Sequence, residues 1–381
     1  MIVVGYLYNN NGMASWCIEA SKALHHAGLH PILVHSSKVV PDENWPFEKM
    51  VFDFPDAQSS NSMRLKSAMV VSMLSAKSSG FSYYVYLELV RSGRPPKAFL
   101  LNQSNMLDAR VPVPQFLCAW VFPTGFSTYL RGAVLATEKR GFKEALITVL
   151  SSIGFYFKDM AAYRRATVVL ANSPEMFRQL VRKGIRSELI PPCYSVETIN
   201  QRRSTTGKIV VLMSALDLES RRKKIPWALE SINSLPVMNV KITLVGKPGN
   251  TVNKLTAASR HDFDLRGLVP RSKALQLYSE TDIFLFTSTV DDWGYVLIEA
   301  MMHGVAILVP DKTPYNYIAG NPRLTFKAGD RNDFIRKFKA LIESPDLNIV
   351  REECRRRAEE LFSGEVFASR FDRLLNGLSN T

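Results

Sequence analysis

Cysteine is scarce in this chain. There are four in 381 residues, Cys17, Cys118, Cys193 and Cys354, and no two share a C-x-x-C spacing. A disulfide scaffold is therefore not indicated, and structural zinc is disfavoured. Long apolar runs are also missing. None reaches the roughly 20 residues that a bilayer-spanning helix needs. The first residues, Met1-Ile2-Val3-Val4-Gly5-Tyr6, have no basic region and no small-residue cleavage site. They read as a first β-strand rather than a signal peptide, and the expected compartment is a reducing cytoplasm. There is no low-complexity segment and no short-period repeat, which leaves globular domains. Negative charge is in short supply. Asp and Glu number 35 against 48 Lys and Arg, for a net charge of +13. Such a balance points to an anionic partner: nucleic acid, a membrane surface or a phosphorylated ligand. No RNP, helix-turn-helix or zinc-finger pattern appears, so nucleic acid is not expected as a partner.

What is present fits two domains. The length exceeds what one core usually serves. Short, fully apolar runs recur at Ile2–Tyr6, Ile32–Val34, Ala98–Leu101, Val168–Ala171, Ile209–Met213, Ile242–Val245, Ile283–Phe286 and Ala306–Val309. Runs of this kind suit parallel strands buried on both faces. Helical stretches lie between several of them, including Ser15–Ala27, Pro226–Ser234, Ser272–Ser279 and Gly294–His303. This is the βαβ pattern of an α/β, doubly wound sheet, and it occurs twice. The polar stretch Ser195–Gly207 divides the two occurrences and reads as an interdomain linker. The last element, Glu365–Leu378, is an amphipathic helix.

The densest chemistry lies between Asp282 and Asp311. Strand Ile283–Phe286 ends at Thr287-Ser288, Asp291-Asp292 follow, and Gly294 opens a helix. Carboxylates are favoured near a helix N-terminus, so Asp292 also reads as a simple N-cap. Glu299 is harder to explain that way. Its helix neighbours Tyr295, Val296, Leu297, Ile298, Ala300, Met301 and Met302 are apolar on every side. A helix of that kind is buried, and a buried carboxylate is costly unless hydrogen-bonded. A ligand with paired hydroxyls, such as a ribose, would satisfy it. So would a protein donor. The backbone N–H groups of Gly294, Tyr295 and Val296 would offer a phosphate site.

Asp291 and Glu299 are separated by seven residues around a glycine-containing helix start. This spacing resembles the carboxylate-x7-Glu motif of glycosyltransferase family 4, retaining nucleotide-sugar enzymes of the GT-B fold. The flanking sequence is similar too. Arg266-Gly267-Leu268-Val269-Pro270 precedes Leu277-Tyr278-Ser279 and Thr281-Asp282-Ile283-Phe284, and Glu299-Ala300-Met301-Met302-His303-Gly304 follows. The resemblance runs over nearly the whole chain and is strongest over 205–381. It implies two Rossmann-like domains facing a cleft. The acceptor domain would span 1–197 with the C-terminal helix 364–381 crossing back to it. The nucleotide-sugar domain would span 205–363.

The resemblance also implies roles. Glu299 would bind the donor's ribose. Asp291 would contact the donor sugar near the reacting carbon, with a side chain one methylene shorter than the family's usual Glu. Gly294, Tyr295 and Val296 would bind sugar hydroxyls and diphosphate through their backbone. Leu268 and Val269 would meet the base. Lys224 matches the family's diphosphate lysine, but the family's arginine position holds Ala215. Arg221 or Arg222 would replace it from the same loop, whose alternative reading is a solvated basic turn. Gly12, in the first loop after Asn9-Asn10-Asn11, would approach the diphosphate. The family's N-domain histidine has no counterpart near Phe116–Phe122, where Trp120 reads as a sugar-stacking or a core residue. No metal and no cofactor is implied beyond a UDP- or GDP-sugar donor. The product class would be surface polysaccharide or glycolipid. The alternative, favoured by Ala215 and the missing histidine, is a catalytically silent nucleotide-sugar-binding protein. On the acceptor side, Phe142–Met160 is apolar and aromatic and is followed by Tyr163-Arg164-Arg165. It reads as a core helix or as an interfacial segment. The second reading suggests a glycan or lipid-linked acceptor and contact with an anionic membrane surface.

Overall fold

The computed structural model describes residues 1–7, 12–36, 45–52, 81–102, 106–119, 156–196, 207–288 and 293–379. The chain divides into two compact units. One comprises Met1–Ser195 with Gly364–Thr381, and the other is Val196–Ser363. Of the expected linker, 197–206 lie outside the described residues, as do Asn9 to Asn11, Trp120 and most of Phe142–Met160.

The first unit is built on β1 (Ile2–Leu7), α1 (Gly12–His26), β2 (Pro31–His35), β3 (Glu48–Val51), α2 (Phe81–Arg91), β4 (Ala98–Leu101), β5 (Gln115–Ala119), β6 (Val168–Ala171), α3 (Pro174–Arg182) and β7 (Ser187–Leu189). Its seven strands run in the order β3-β2-β1-β4-β5-β6-β7, with every pairing parallel. Strands β2, β4, β5 and β6 are buried along their whole length. Each large aliphatic or aromatic side chain so buried contributes about 1.5–3 kcal/mol. Helix α3 starts where the sequence places a cap. Ser173 accepts a hydrogen bond from Met176 N–H at 3.3 Å, and Pro174 follows at the first turn. The C-terminal helix, here α11 (Gly364–Ser379), packs on α1. Its Phe371 meets Phe116 of β5 edge to face at 4.9 Å.

The second unit carries β8 (Ile209–Asp217), α4 (Ile225–Asn233), β9 (Val240–Lys247), α5 (Asn250–Ala257), β10 (Asp262–Gly267), α6 (Arg271–Tyr278), β11 (Ile283–Leu285), α7 (Tyr295–Met302), β12 (Ala306–Pro310), α8 (Tyr315–Ala319), β13 (Thr325–Phe326), α9 (Arg331–Ile342) and α10 (Leu347–Phe362). Its sheet order is β10-β9-β8-β11-β12-β13, again with parallel pairing. Both units are α/β with doubly wound sheets, so each is Rossmann-like. In such sheets ligands bind outside the carboxyl ends of the strands.

Two structural ties set the second unit's geometry. Asp282, just before β11, accepts a hydrogen bond from Val210 N–H at 2.9 Å and pairs with Arg351 of α10 at 3.0 Å. Strand β8 runs to Asp217, four residues beyond the apolar run that signals it, and bulges between Ser214 and Asp217. The bulge lets β9 approach closely. Gly246 has φ +143°, and a Cβ there would stand 1.8 Å from the Ala215 carbonyl oxygen. Only glycine fits.

Candidate functional site

Two segments meet at the carboxyl end of the second sheet, the loop after β8 and the end of β11, and α7 is the next helix along the chain. The β8 loop is folded by its own polar groups. Asp217 accepts a hydrogen bond from Glu219 N–H at 3.0 Å, and Ser220 carbonyl accepts from Lys223 N–H at 2.9 Å. Glu219 in turn caps α5, accepting from Val252 N–H at 2.8 Å. That helix N-terminus, a natural anion site, is therefore filled by the protein's own carboxylate. The remaining residues of the loop, Arg221, Arg222, Lys223 and Lys224, carry four positive charges.

The end of β11 fixes this basic loop. Thr287 Oγ1 donates to the Lys223 carbonyl at 2.7 Å, and Ser288 Oγ donates to the Arg222 carbonyl at 3.3 Å. Both hydroxyl residues are buried. Lys223 lies over the Phe286 ring at 5.6 Å. Arg221, Arg222 and Lys224 are exposed. Lys224 holds φ 56°, ψ 25° as the residue before α4, a left-handed conformation that is costly for a side chain with a Cβ. Among the described residues, its ammonium has no hydrogen-bond or ion-pair partner. A strained, unpaired cation at a strand's carboxyl end is a functional signal.

Helix α7 opens at Gly294, at φ 82° and ψ 52°, with no side-chain cap. A Cβ there would press on Leu297 Cδ1 at 3.1 Å. The first-turn N–H groups of a helix are a general anion-binding feature, and Tyr295 and Val296 supply them here. Tyr295 is buried and Val296 is half-buried. Asp291 and Asp292 lie outside the described residues.

Glu299, on the second turn of α7, is 4% exposed. It is paired. Arg271 Nη2 donates to Oε1 at 2.7 Å, and the Tyr278 hydroxyl donates to Oε2 at 3.4 Å. The protein-donor reading of this carboxylate is thus realised, through a half-exposed arginine that the sequence reading did not single out. Arg271 is the first residue of α6, where a cation opposes the helix dipole and needs a compensating partner. Tyr278 stacks on His303 at 5.4 Å and 23°. Burial holds the His303 pKa below 6.5, which keeps the imidazole neutral at pH 7. Leu268 is 61% exposed and Val269 half-buried in the turn that leads into Arg271. The structure therefore brings Leu268, Val269 and Glu299 to one neighbourhood through α6, and joins Lys224, Arg221 and Arg222 to the strand that feeds α7. Gly12 belongs to the other unit, as the first residue of α1.

The cysteines take no part. All four are buried thiols outside any disulfide, and burial pushes the Cys354 thiol up to about 12. Among the described residues, no group of three His, Cys, Asp or Glu side chains is placed to hold a metal.

Residues 207–344 match the family described as Glycosyl transferases group 1. The matched stretch lies within the second unit. No curated protein sequence matches the chain. Solved structures resemble it over their full length. A sucrose-phosphate synthase from Thermosynechococcus elongatus aligns with TM-score 0.68 at 15% identity, covering 100% of this chain and 99% of that one. HepE from Anabaena, solved with UDP and glucose, aligns with TM-score 0.61 at 14% identity, over 99% and 100%. The lipopolysaccharide outer core galactosyltransferase WaaB aligns with TM-score 0.61 at 14% identity, over 99% of each chain. At these identities the likeness establishes the fold. It is GT-B, and the group 1 match agrees with the family 4 resemblance. Among the described residues, no helix is long and apolar enough to cross a membrane.

Proposed function

We propose that this protein is a retaining hexosyltransferase that uses a UDP- or GDP-sugar without a divalent metal and acts on a glycan or lipid-linked acceptor. The observation that carries this reading is the buried Glu299 carboxylate on α7, behind a helix start that Gly294 opens in the left-handed conformation. Glu299 takes the ribose, and the turn at Leu268 and Val269 takes the base. Two negative charges leave with the nucleoside diphosphate. Lys224, Arg221, Arg222 and the N–H groups of Tyr295 and Val296 stabilise them as they develop. Asp291 takes its role from the motif alone, positioning the donor sugar. Gly12, at the start of α1, takes its role from the resemblance. The glycosidic bond to phosphate breaks while the acceptor oxygen bonds to the same face of the anomeric carbon. The acceptor proton passes to the leaving phosphate oxygen. Placement and charge carry most of the rate. The related fold of HepE, solved with UDP and with UDP-glucose, supports a uridine donor.

Thermal-shift screening against UDP-, GDP- and ADP-sugars tests the donor. Glu299→Ala should abolish donor binding, and Asp291→Asn should weaken turnover more than binding. Unchanged activity in both variants would refute the assignment. One observation favours a second reading, a silent nucleotide-sugar-binding protein. Ala215 stands where the resemblance calls for arginine. Donor binding without hydrolysis or transfer would establish that reading.

The first unit exposes Phe157 and also Arg164, Arg165, Arg182, Lys183 and Arg186, and Lys183 donates to the Tyr156 hydroxyl next to Phe157 at 3.4 Å. These support contact with an anionic membrane face, at about 1 kcal/mol per basic residue. Failure to float with anionic vesicles would remove that part of the proposal.

A further inference from the structure

Arg271 and Glu299 are 28 residues apart, on the first turn of α6 and the second turn of α7. The pairing is lopsided. The Glu299 side chain is 5% exposed and the Arg271 side chain 51%. A carboxylate offers about four lone-pair sites. Arg271 fills one on Oε1 at 2.7 Å, and the Tyr278 hydroxyl reaches Oε2 only at 3.4 Å, near the limit of a hydrogen bond. Tyr278 is itself fixed by stacking on His303. The carboxylate is thus clamped from the α6 side, and these two contacts leave acceptor capacity on both oxygens. A cis-diol is a chemical match for that remainder, because its two hydroxyls donate side by side to the two oxygens.

We propose that Arg271 is a positioning residue for the nucleotide's ribose. It holds the Glu299 carboxylate turned so that both oxygens accept from the 2′- and 3′-hydroxyls. The chain thereby selects ribonucleotides over 2′-deoxyribonucleotides. The inference rests on the donor-site reading above and adds a residue and a selectivity to it. Arg271 acts through Glu299, and its effect is seen only with a ligand that carries the 2′-hydroxyl.

The test uses the full chain and two nucleotide pairs, UDP with 2′-deoxy-UDP and GDP with 2′-deoxy-GDP, measured by calorimetric titration. Thermal unfolding is recorded for every variant. The wild-type chain should bind the ribonucleotide about ten- to a hundredfold more tightly than its deoxy counterpart. Arg271→Ala should weaken the ribonucleotide about tenfold and leave the deoxynucleotide within twofold, so that selectivity collapses. Arg271→Lys should restore part of it, since a point charge replaces the fork. Arg271→Ala with Glu299→Gln should bind no worse than Glu299→Gln alone. Equal losses for both nucleotides in Arg271→Ala would overturn the proposal, because Arg271 would then meet base or phosphate. Unchanged ribonucleotide affinity with an unchanged melting temperature would also overturn it, leaving a surface ion pair. A wild-type chain that binds neither pair would overturn the donor-site reading itself, a result distinct from the other two.

Discussion

Replacing Glu299 with Gln separates binding from folding. The carboxamide keeps the volume and shape of the side chain, so the packing of α7 is preserved. What folding loses is the ion pair with Arg271 at 2.7 Å. Because Arg271 is half exposed and stays solvated, that pair is screened and contributes about 1 kcal/mol or less. What binding loses is larger. Two ribose hydroxyls donating to a buried carboxylate contribute about 1.5–3 kcal/mol each. The amide retains one acceptor oxygen and turns the other group into a donor, which forfeits one of the two bonds. Affinity for the nucleoside diphosphate should therefore fall about ten- to a hundredfold, since 1.4 kcal/mol is a factor of ten. The melting temperature should move by about 4 °C at most. Titration calorimetry with UDP and GDP, alongside thermal unfolding of the same samples, reads both quantities. Wild-type affinity in a folded Glu299→Gln chain would refute the ribose assignment. A collapse in stability with no separable binding defect would show that Glu299 is a folding residue.

Three further outcomes follow from the same geometry. Lys224→Ala should leave stability within about 0.5 kcal/mol, since the ammonium has no partner among the described residues, while turnover drops tenfold or more; Lys224→Gly should raise stability by about 1 kcal/mol by relieving the left-handed backbone, with the same loss of turnover. Gly246→Ala should cost about 3 kcal/mol or more, because its Cβ meets backbone at 1.8 Å, and thermal unfolding should show a fall of roughly 6–12 °C or no soluble chain. Asp333 accepts from Lys327 N–H at 2.7 Å and pairs with Arg336, which holds its carboxyl below the ordinary 3.8. That stability is present above pH 4 and is lost as pH falls through the lowered pKa, so Asp333→Asn should flatten the acid limb of a stability–pH curve.

The buried centre of each sheet was legible from sequence because parallel strands covered on both faces read as unbroken apolar runs. Ala98–Leu101 and Val168–Ala171 are observed with the bounds expected for them. The strands near the sheet margins were not legible. Glu48–Val51 and Asp262–Gly267 are half exposed and carry charge, so neither the apolar run nor strict alternation marks them. Thr325–Phe326 is only two residues long. At the site, Glu299 announced itself because an acidic residue on a helix apolar all round has to be explained. Arg271 did not, because an arginine beside a proline and a serine looks like any solvated helix start. Its meaning depends on a partner 28 residues away, and only the packing of α6 against α7 supplies that. The fate of Glu219 was likewise hidden. In sequence it is one charge in a mixed run, and in the fold it closes the N-terminus of α5.

The basic loop and the end of β11 are linked by two hydroxyls, which makes their cooperation testable. Thr287 Oγ1 reaches the Lys223 carbonyl at 2.7 Å from a residue 4% exposed. Thr287→Val keeps the shape and removes the donor. The carbonyl it leaves behind loses a bond contributing about 1 kcal/mol, and stability should fall by that amount. Lys224 follows Lys223 directly, so the same change frees the residue proposed to meet the diphosphate. If the loop must be held for Lys224 to work, turnover should fall about tenfold in Thr287→Val. Thr287→Ser, which keeps the hydroxyl, should retain turnover despite a comparable loss of stability from the missing methyl. The comparison of those two variants at equal stability is decisive. Turnover that tracks melting temperature across both would mean that the hydroxyl only supports the fold. Turnover that tracks the hydroxyl would mean that the end of β11 places the cation, with Arg221 and Arg222 carried on the same anchored turn.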